Sequence, residues 1–97
     1  MITRESLVTS KNKSVELTLK GIQQKPLFQW VRLTDIYGDL WLLEDYCVIP
    51  NTLSVPAYSV AELIIMLGEV SKEEMVEIYK KTFFEPDAVA DYVMSKI

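Results

Sequence analysis

The sequence predicts a small α+β fold: an N-terminal helix, an antiparallel β-hairpin, then two or three C-terminal helices packed on it, in the order α-β-β-α-α-α. Two observations carry this. Strand-forming residues concentrate between Leu27 and Val48, and helix-capping patterns stand near Ser10 and again after Ser59. A third, the composition, bounds the class. The chain has 97 residues, 49% hydrophobic and 25% charged, so neither disorder nor a fibrous repeat is favoured, and residues 1–97 are read as one domain around one core.

The N-terminal segment carries two opposed signals. Val15, Leu17 and Leu19 alternate with Glu16, Thr18 and Lys20, the period of a half-buried strand. Against this, Thr9 or Ser10 suits a helix N-cap, a run free of Pro and Gly follows, and Gly21 stands where helices commonly end. Leu7 and Val8 fit a hydrophobic staple or a strand equally. Read from these residues alone, the segment stays open between helix and strand.

The hairpin is clearer. Leu27 to Leu33, reading L-F-Q-W-V-R-L after Pro26, is the best strand in the chain. Thr34 to Asp39 holds the turn-tolerant residues Asp35, Gly38 and Asp39, and Leu40 to Val48 supplies a second β-compatible run. Both faces of that second strand are largely apolar. One is therefore expected on the helices and the other under further chain or a partner. Pro50 to Pro56 is expected to be a loop, since Pro50, Asn51, Ser54 and Pro56 discourage regular structure.

Three helices are expected after it. Ser59 with Glu62 forms the S-x-x-E capping box ahead of Leu63, Ile64, Met66 and Leu67, with Gly68 as the stop. Ser71 with Glu74 repeats the pattern and opens a helix toward Thr82 or Phe83, on which Glu77 can pair with Lys80 or Lys81. Pro86 at a first-turn position, with Asp87 beside it, starts the last helix. Val89, Tyr92, Val93 and Ile97 give it an apolar stripe.

Composition removes several chemistries. Without histidine the chain lacks the usual proton shuttle near neutral pH and the commonest metal ligand, and Ser-His-Asp or Cys-His arrangements cannot form. Gly21, Gly38 and Gly68 are too scattered for a phosphate-cradling loop. The acids Asp35, Asp39, Glu44 and Asp45 lack EF-hand order and are read as turn-forming and solvating, and Glu73, Glu74, Glu85 and Asp87 as first-turn charges that suit helix dipoles. Cys47 lies among apolar neighbours and reads as a small buried hydrophobe. No cofactor, metal or catalytic residue is assigned, and the chain reads as non-enzymatic.

A net charge of −4 opposes a general grip on phosphates, and the basic clusters Lys11/Lys13 and Lys80/Lys81 are short. The longest apolar run, Val60 to Leu67, is broken by Glu62 and falls well below the ~20 residues of a membrane span. The N-terminus shows no apolar secretory segment, so a cytoplasmic setting is expected. The aromatics are more informative. Phe28, Trp30, Tyr37, Trp41 and Tyr46 cluster along the hairpin, where core packing accounts for most of them. Of these, Phe28, Trp30, Trp41 and Tyr46 are the candidate interaction surface.

Three stretches resemble small uncharacterised proteins of phages, prophages and related mobile elements. Leu19 to Val31, L-K-G-I-Q-Q-K-P-L-F-Q-W-V, resembles their helix followed by an F-x-W strand. Ser54 to Leu67, S-V-P-A-Y-S-V-A-E-L-I-I-M-L, is similar to their second helix start, and Glu85 to Met94, E-P-D-A-V-A-D-Y-V-M, to their closing helix. The three occur in the same order and span less than half of the chain. The resemblance implies that Ser10 to Lys20 is a helix. It also marks a departure, because such proteins often carry a further strand pair where Ser71 to Phe83 reads as helix. No activity or site residue comes with it.

The leading functional expectation is a non-enzymatic accessory or interaction protein of mobile-element origin, whose partner is another protein or, through the uncovered hairpin face, a second copy. The alternative is a nucleic-acid-associated regulator using the Lys11/Lys13 helix or the aromatic sheet, which predicts steep salt dependence. An enzyme working through carboxylates alone ranks third, since nothing fixes a pair.

Overall fold

The computed structural model describes residues 3–22, 24–35, 38–47 and 53–97. Tyr37 of the aromatic group, and Val48, Pro50 and Asn51 of the expected strand end and loop, lie outside the described residues. A short 3-10 turn, Arg4–Leu7, leads into helix α1 (Lys11–Leu19), strands β1 (Phe28–Asp35), β2 (Gly38–Asp45) and β3 (Ser54–Ala57), and helices α2 (Val60–Ile65), α3 (Lys72–Thr82) and α4 (Pro86–Lys96). The α+β order expected from the sequence is the order observed, with one added strand.

Cap chemistry decides the N-terminal conflict in favour of helix. The Ser10 hydroxyl accepts from the Lys13 N–H at 3.2 Å. At the other end Ile22 N–H donates to Leu17 O and Gly21 N–H to Thr18 O, the paired bonds of a Schellman stop, with Gly21 at φ 88°. The alternation of Val15, Leu17 and Leu19 has no structural counterpart: Leu17 is fully buried while Leu19 is 81% exposed. Thr9, the other cap candidate, has a different task. Its buried hydroxyl lies 2.7 Å from Ser14 Oγ and accepts from the Tyr58 N–H at 3.1 Å, and its own N–H donates to Tyr58 O.

β1 and β2 form the antiparallel hairpin, paired from Phe28↔Asp45 to Asp35↔Gly38. Pairing therefore continues into the stretch expected to turn, and β2 ends at Asp45 rather than Val48. β3 pairs antiparallel to the other side of β1, Phe28↔Ala57 to Val31↔Ser54, giving the sheet order β2-β1-β3. The expected loop thus ends in a strand, which Pro56 permits by its register. Arg32 N–H donates to Leu53 O, so Leu53, Val55 and Ala57 turn their backbone groups toward β1 and Pro56 turns outward, where its missing N–H is not needed.

The C-terminal helices match their sequence signals. Ser59 Oγ accepts from Glu62 N–H while Glu62 Oε1 accepts from Ser59 N–H at 2.9 Å, a complete capping box on α2. Ser71 Oγ accepts from Glu74 N–H at the start of α3, Glu77 pairs with Lys81 at 2.8 Å, and Pro86 opens α4. Of the stripe expected on α4, Val89 and Val93 are fully buried and Ile97 is exposed.

Buried apolar residues form two adjoining clusters where the sequence suggested one core. Leu17, Tyr58, Leu63, Ile78, Val89, Ala90 and Val93 pack the helices together. Val8, Leu43 and Ala57, with Phe28 and Trp30 against them, fill the space between the sheet and the N-terminal segment. The strand pleat sends Ala57 to one cluster and its neighbour Tyr58 joins the other.

Candidate interaction surface

Strand alternation sorts the hairpin side chains onto two faces. Phe28, Trp30, Arg32, Trp41 and Leu43 share the inner face, and Gln29, Val31, Leu33, Leu40, Leu42 and Glu44 the outer one. The N-terminal segment covers much of the inner face. Arg4 lies 5.4 Å from the Phe28 ring centroid, donates to Leu43 O at 2.8 Å and meets Asp45 at 3.7 Å. The Trp30 indole N–H donates to Thr9 O at 2.9 Å. Lys11 stands over Trp41 at 5.3 Å and Lys25 over Tyr46 at 5.7 Å, each an amphipathic stem capping an aromatic face.

The four candidate aromatics are therefore all half-buried and do not form one patch. Phe28, Trp30 and Trp41 belong to the inner face; Tyr46 follows β2 on the other side of the hairpin.

The outer face is open in part. The chain after β2 passes over it at Gln29, whose buried side-chain amide donates to Cys47 O at 3.0 Å. Beyond that crossing Leu33, Leu40 and Leu42 are exposed. They adjoin a cavity of about 420 Å³ lined by Val31, Leu33, Leu42, Glu44, Asp45, Tyr46 and Cys47. Cys47 itself is exposed, against the expectation of a buried thiol: β2 ends at Asp45, so Cys47 lies beyond the strand and not within the sheet.

The two sheet edges differ. At β3 the outer position holds Pro56, and Val8 bridges Ser59 just beyond the strand. At β2, among the described residues, no strand pairs with the outer side. Tyr46 N–H donates to Leu27 O, which sets the alternation: Glu44, Leu42 and Leu40 face β1, while Trp41, Leu43 and Asp45 turn their backbone groups outward. Arg4 takes the Leu43 carbonyl. The rest is a template for another extended chain.

Charge is distributed unevenly around this edge. β2, reading G-D-L-W-L-L-E-D, has three acidic residues and no basic one. Lys13, a candidate for phosphate contact, bonds Asp91 at 2.7 Å and Glu16 at 3.1 Å; the bond to Asp91 is the main reason its ammonium is held above the ordinary lysine range. Lys81 is similarly raised and Glu77 lowered, each chiefly by the hydrogen bond they share. Among the described residues no group of three or more Cys, Asp and Glu side chains is placed to hold a metal ion, and no helix is long and apolar enough to cross a membrane.

A second exposed apolar patch lies on the helices. Val76, Tyr79 and Phe83 project from α3 beside Ile65 and Phe84, next to a groove of about 660 Å³ lined by Val60, Ala61, Ile64, Ile65, Met75 and Phe84. Its signal is present in the sequence: Val76, Tyr79 and Phe83 repeat at helical spacing beside the buried Ile78 and Thr82. Comparison of the chain with protein-family models, curated proteins and solved structures finds no match.

Proposed function

We propose that this chain is a non-enzymatic protein-interaction module that receives an extended segment of a partner along the outer side of β2. The carrying observation is the juxtaposition of the outward backbone groups of Trp41, Leu43 and Asp45, of which Arg4 takes the Leu43 carbonyl and no strand among the described residues takes the rest, with the apolar surface of Leu33, Leu40 and Leu42 and its cavity. Main-chain bonds to an edge strand supply affinity, and alternate side chains entering a pocket supply selectivity. The three acids of β2 favour a segment that alternates basic and apolar residues. They disfavour a second copy of β2, which would set like charges across the new pair. The resemblance to phage and prophage proteins supports an accessory role in a mobile element. The nucleic-acid reading is less well supported, since Lys13 and Lys81 are engaged with carboxylates of the chain itself.

Cys47, the single cysteine, is exposed on the cavity wall and accepts an environment-sensitive dye. The labelled chain is titrated with an eight-residue peptide of alternating Val and Lys, and with its Val and Glu counterpart. Saturable binding of the first, weakened roughly tenfold by Asp45→Lys on the face of β2 opposite Leu40 and Leu42, supports the reading. Equal response to both peptides, or none to either, overturns it.

A further inference from the structure

We propose that the chain forms a two-fold dimer through the exposed side of α3, with Phe83 of each copy seated against the α2–α3 groove of the other. This surface is separate from the hairpin edge and does not rest on the function proposed for it.

The first ground is an unpartnered stripe. Val76 is 51% exposed, Tyr79 50% and Phe83 70%, at the spacing of a helix–helix seam. Tyr79 is already in edge contact with Phe83 and Phe84, at ring centroid distances of 6.0 and 5.2 Å, so the patch is ordered before any partner arrives. Low rearrangement favours association.

The second ground is the backbone beneath it. Phe83 and Phe84 both take positive φ, 51° and 55°, a region disfavoured for bulky L-residues. Beyond α1 and α2 the same left-handed region is occupied by Gly21 and Gly68, which suit it. At the end of α3 the chain instead holds two phenylalanines there. Within the chain Phe84 packs on Tyr79 and lines the groove, whereas Phe83 meets Tyr79 by one ring edge only and is the most exposed aromatic side chain of the patch. A strained backbone that presents an apolar ring to solvent marks a contact surface.

The third ground selects a second copy as the occupant. A two-fold interface needs one patch that is its own complement, and this patch holds both a projecting ring, Phe83, and an apolar groove beside it. Its charges also fit. On the side of α3 that flanks Val76, Glu73 stands in the first turn and Lys80 in the last, so an antiparallel pair of α3 helices sets each acidic end beside the other's basic end. That charge order suits each helix's own dipole as well, so it fixes the orientation of the pair while the aromatics account for its existence.

Sedimentation equilibrium of the full chain, from about 1 to 300 μM, tests this. The parent is expected to dimerise within that range. Phe83→Asn, which tolerates the left-handed backbone, should weaken the dimer at least about tenfold while leaving the circular dichroism of the fold unchanged. Glu73→Lys, on the side of α3 that flanks Val76, should weaken it too, and combining it with Lys80→Glu should restore it. A parent that stays monomeric throughout, or a Phe83→Asn dimer as tight as the parent's, overturns the proposal; Leu42→Lys on the hairpin abolishing the dimer overturns the assignment to α3.

Discussion

The indole N–H of Trp30 donates to the carbonyl oxygen of Thr9, tying the central strand to the residue just ahead of the α1 cap. Thr9 is fully buried, and its side chain and backbone also hold Ser14 and Tyr58. This small polar knot joins three segments distant in sequence. Trp30→Phe keeps an aromatic ring but removes one donor, and is expected to cost about 1 kcal/mol in urea unfolding. Thr9→Val should cost more, about 1–3 kcal/mol, because the Tyr58 N–H and the Ser14 hydroxyl lose a partner inside the protein. Equal losses would mean that the knot acts only through packing.

Glu62 has a comparable double role. One carboxylate oxygen completes the capping box with Ser59, and the other accepts the Leu27 N–H at 3.1 Å, fixing the chain just before β1. Glu62→Ala is therefore expected to lose about 1–2 kcal/mol, against less than about 0.5 for Glu69→Ala at an exposed site. A loss no greater than that of the control would show that neither bond contributes.

These two sites illustrate what was legible in the sequence. The Ser59/Glu62 box and the Ser10 and Gly21 caps act within a few residues, so the pattern contains nearly all of the physics. β3 was hidden because Pro50 and Pro56 read locally as loop, whereas the strand exists through pairing with β1, some 25 residues earlier. Cys47 departs from its expectation for a related reason: apolar neighbours predict burial only where the segment enters the sheet. Phe28, Trp30 and Trp41 lie on the hairpin strands and Tyr46 just after β2, but pleat and cover decide which of them meets solvent. On α3 two apolar stripes stand side by side, and only the positions of α2 and α4 determine that Ile78 is buried and Tyr79 is not.

Tyr58 gives the fold an alkaline limit. Burial, with smaller contributions from Glu62 and Tyr46, pushes its phenol from 10.0 up to about 12, and its hydroxyl donates to the Gln24 carbonyl. The unfolded chain thus releases this proton near pH 10 while the folded chain still holds it. The stabilisation is complete below pH 10 and is lost as pH rises toward 12, at up to about 1.4 kcal/mol per pH unit. Tyr58→Phe should be less stable than the parent at pH 8, by the lost hydrogen bond, yet show a flatter decline between pH 10 and 12. Parallel declines in the two chains would contradict the assignment.

Exposure of Cys47 has a direct chemical consequence. Its thiol should react fully with a soluble aromatic disulfide under native conditions, at a rate within about tenfold of that in denaturant, since no burial protects it. Gln29→Ala removes the amide that holds the Cys47 carbonyl and should narrow the remaining difference. A thiol that reacts only after unfolding would place the segment inside the protein instead.

The left-handed backbone of Phe83 reverses an ordinary rule of helix substitution. In an exposed helix interior, glycine is about 1 kcal/mol less favourable than alanine. At φ 51° the Cβ of any L-residue is crowded by its own backbone, whereas glycine is at ease there. Phe83→Ala and Phe83→Gly both delete the ring and its contact with Tyr79, so their difference isolates the backbone. Measured at concentrations low enough to exclude association, the glycine variant should be the more stable by about 1 kcal/mol. Alanine equal to or ahead of glycine would mean that residue 83 leaves the left-handed region once the ring is gone, and that the ring itself holds the strained turn in place.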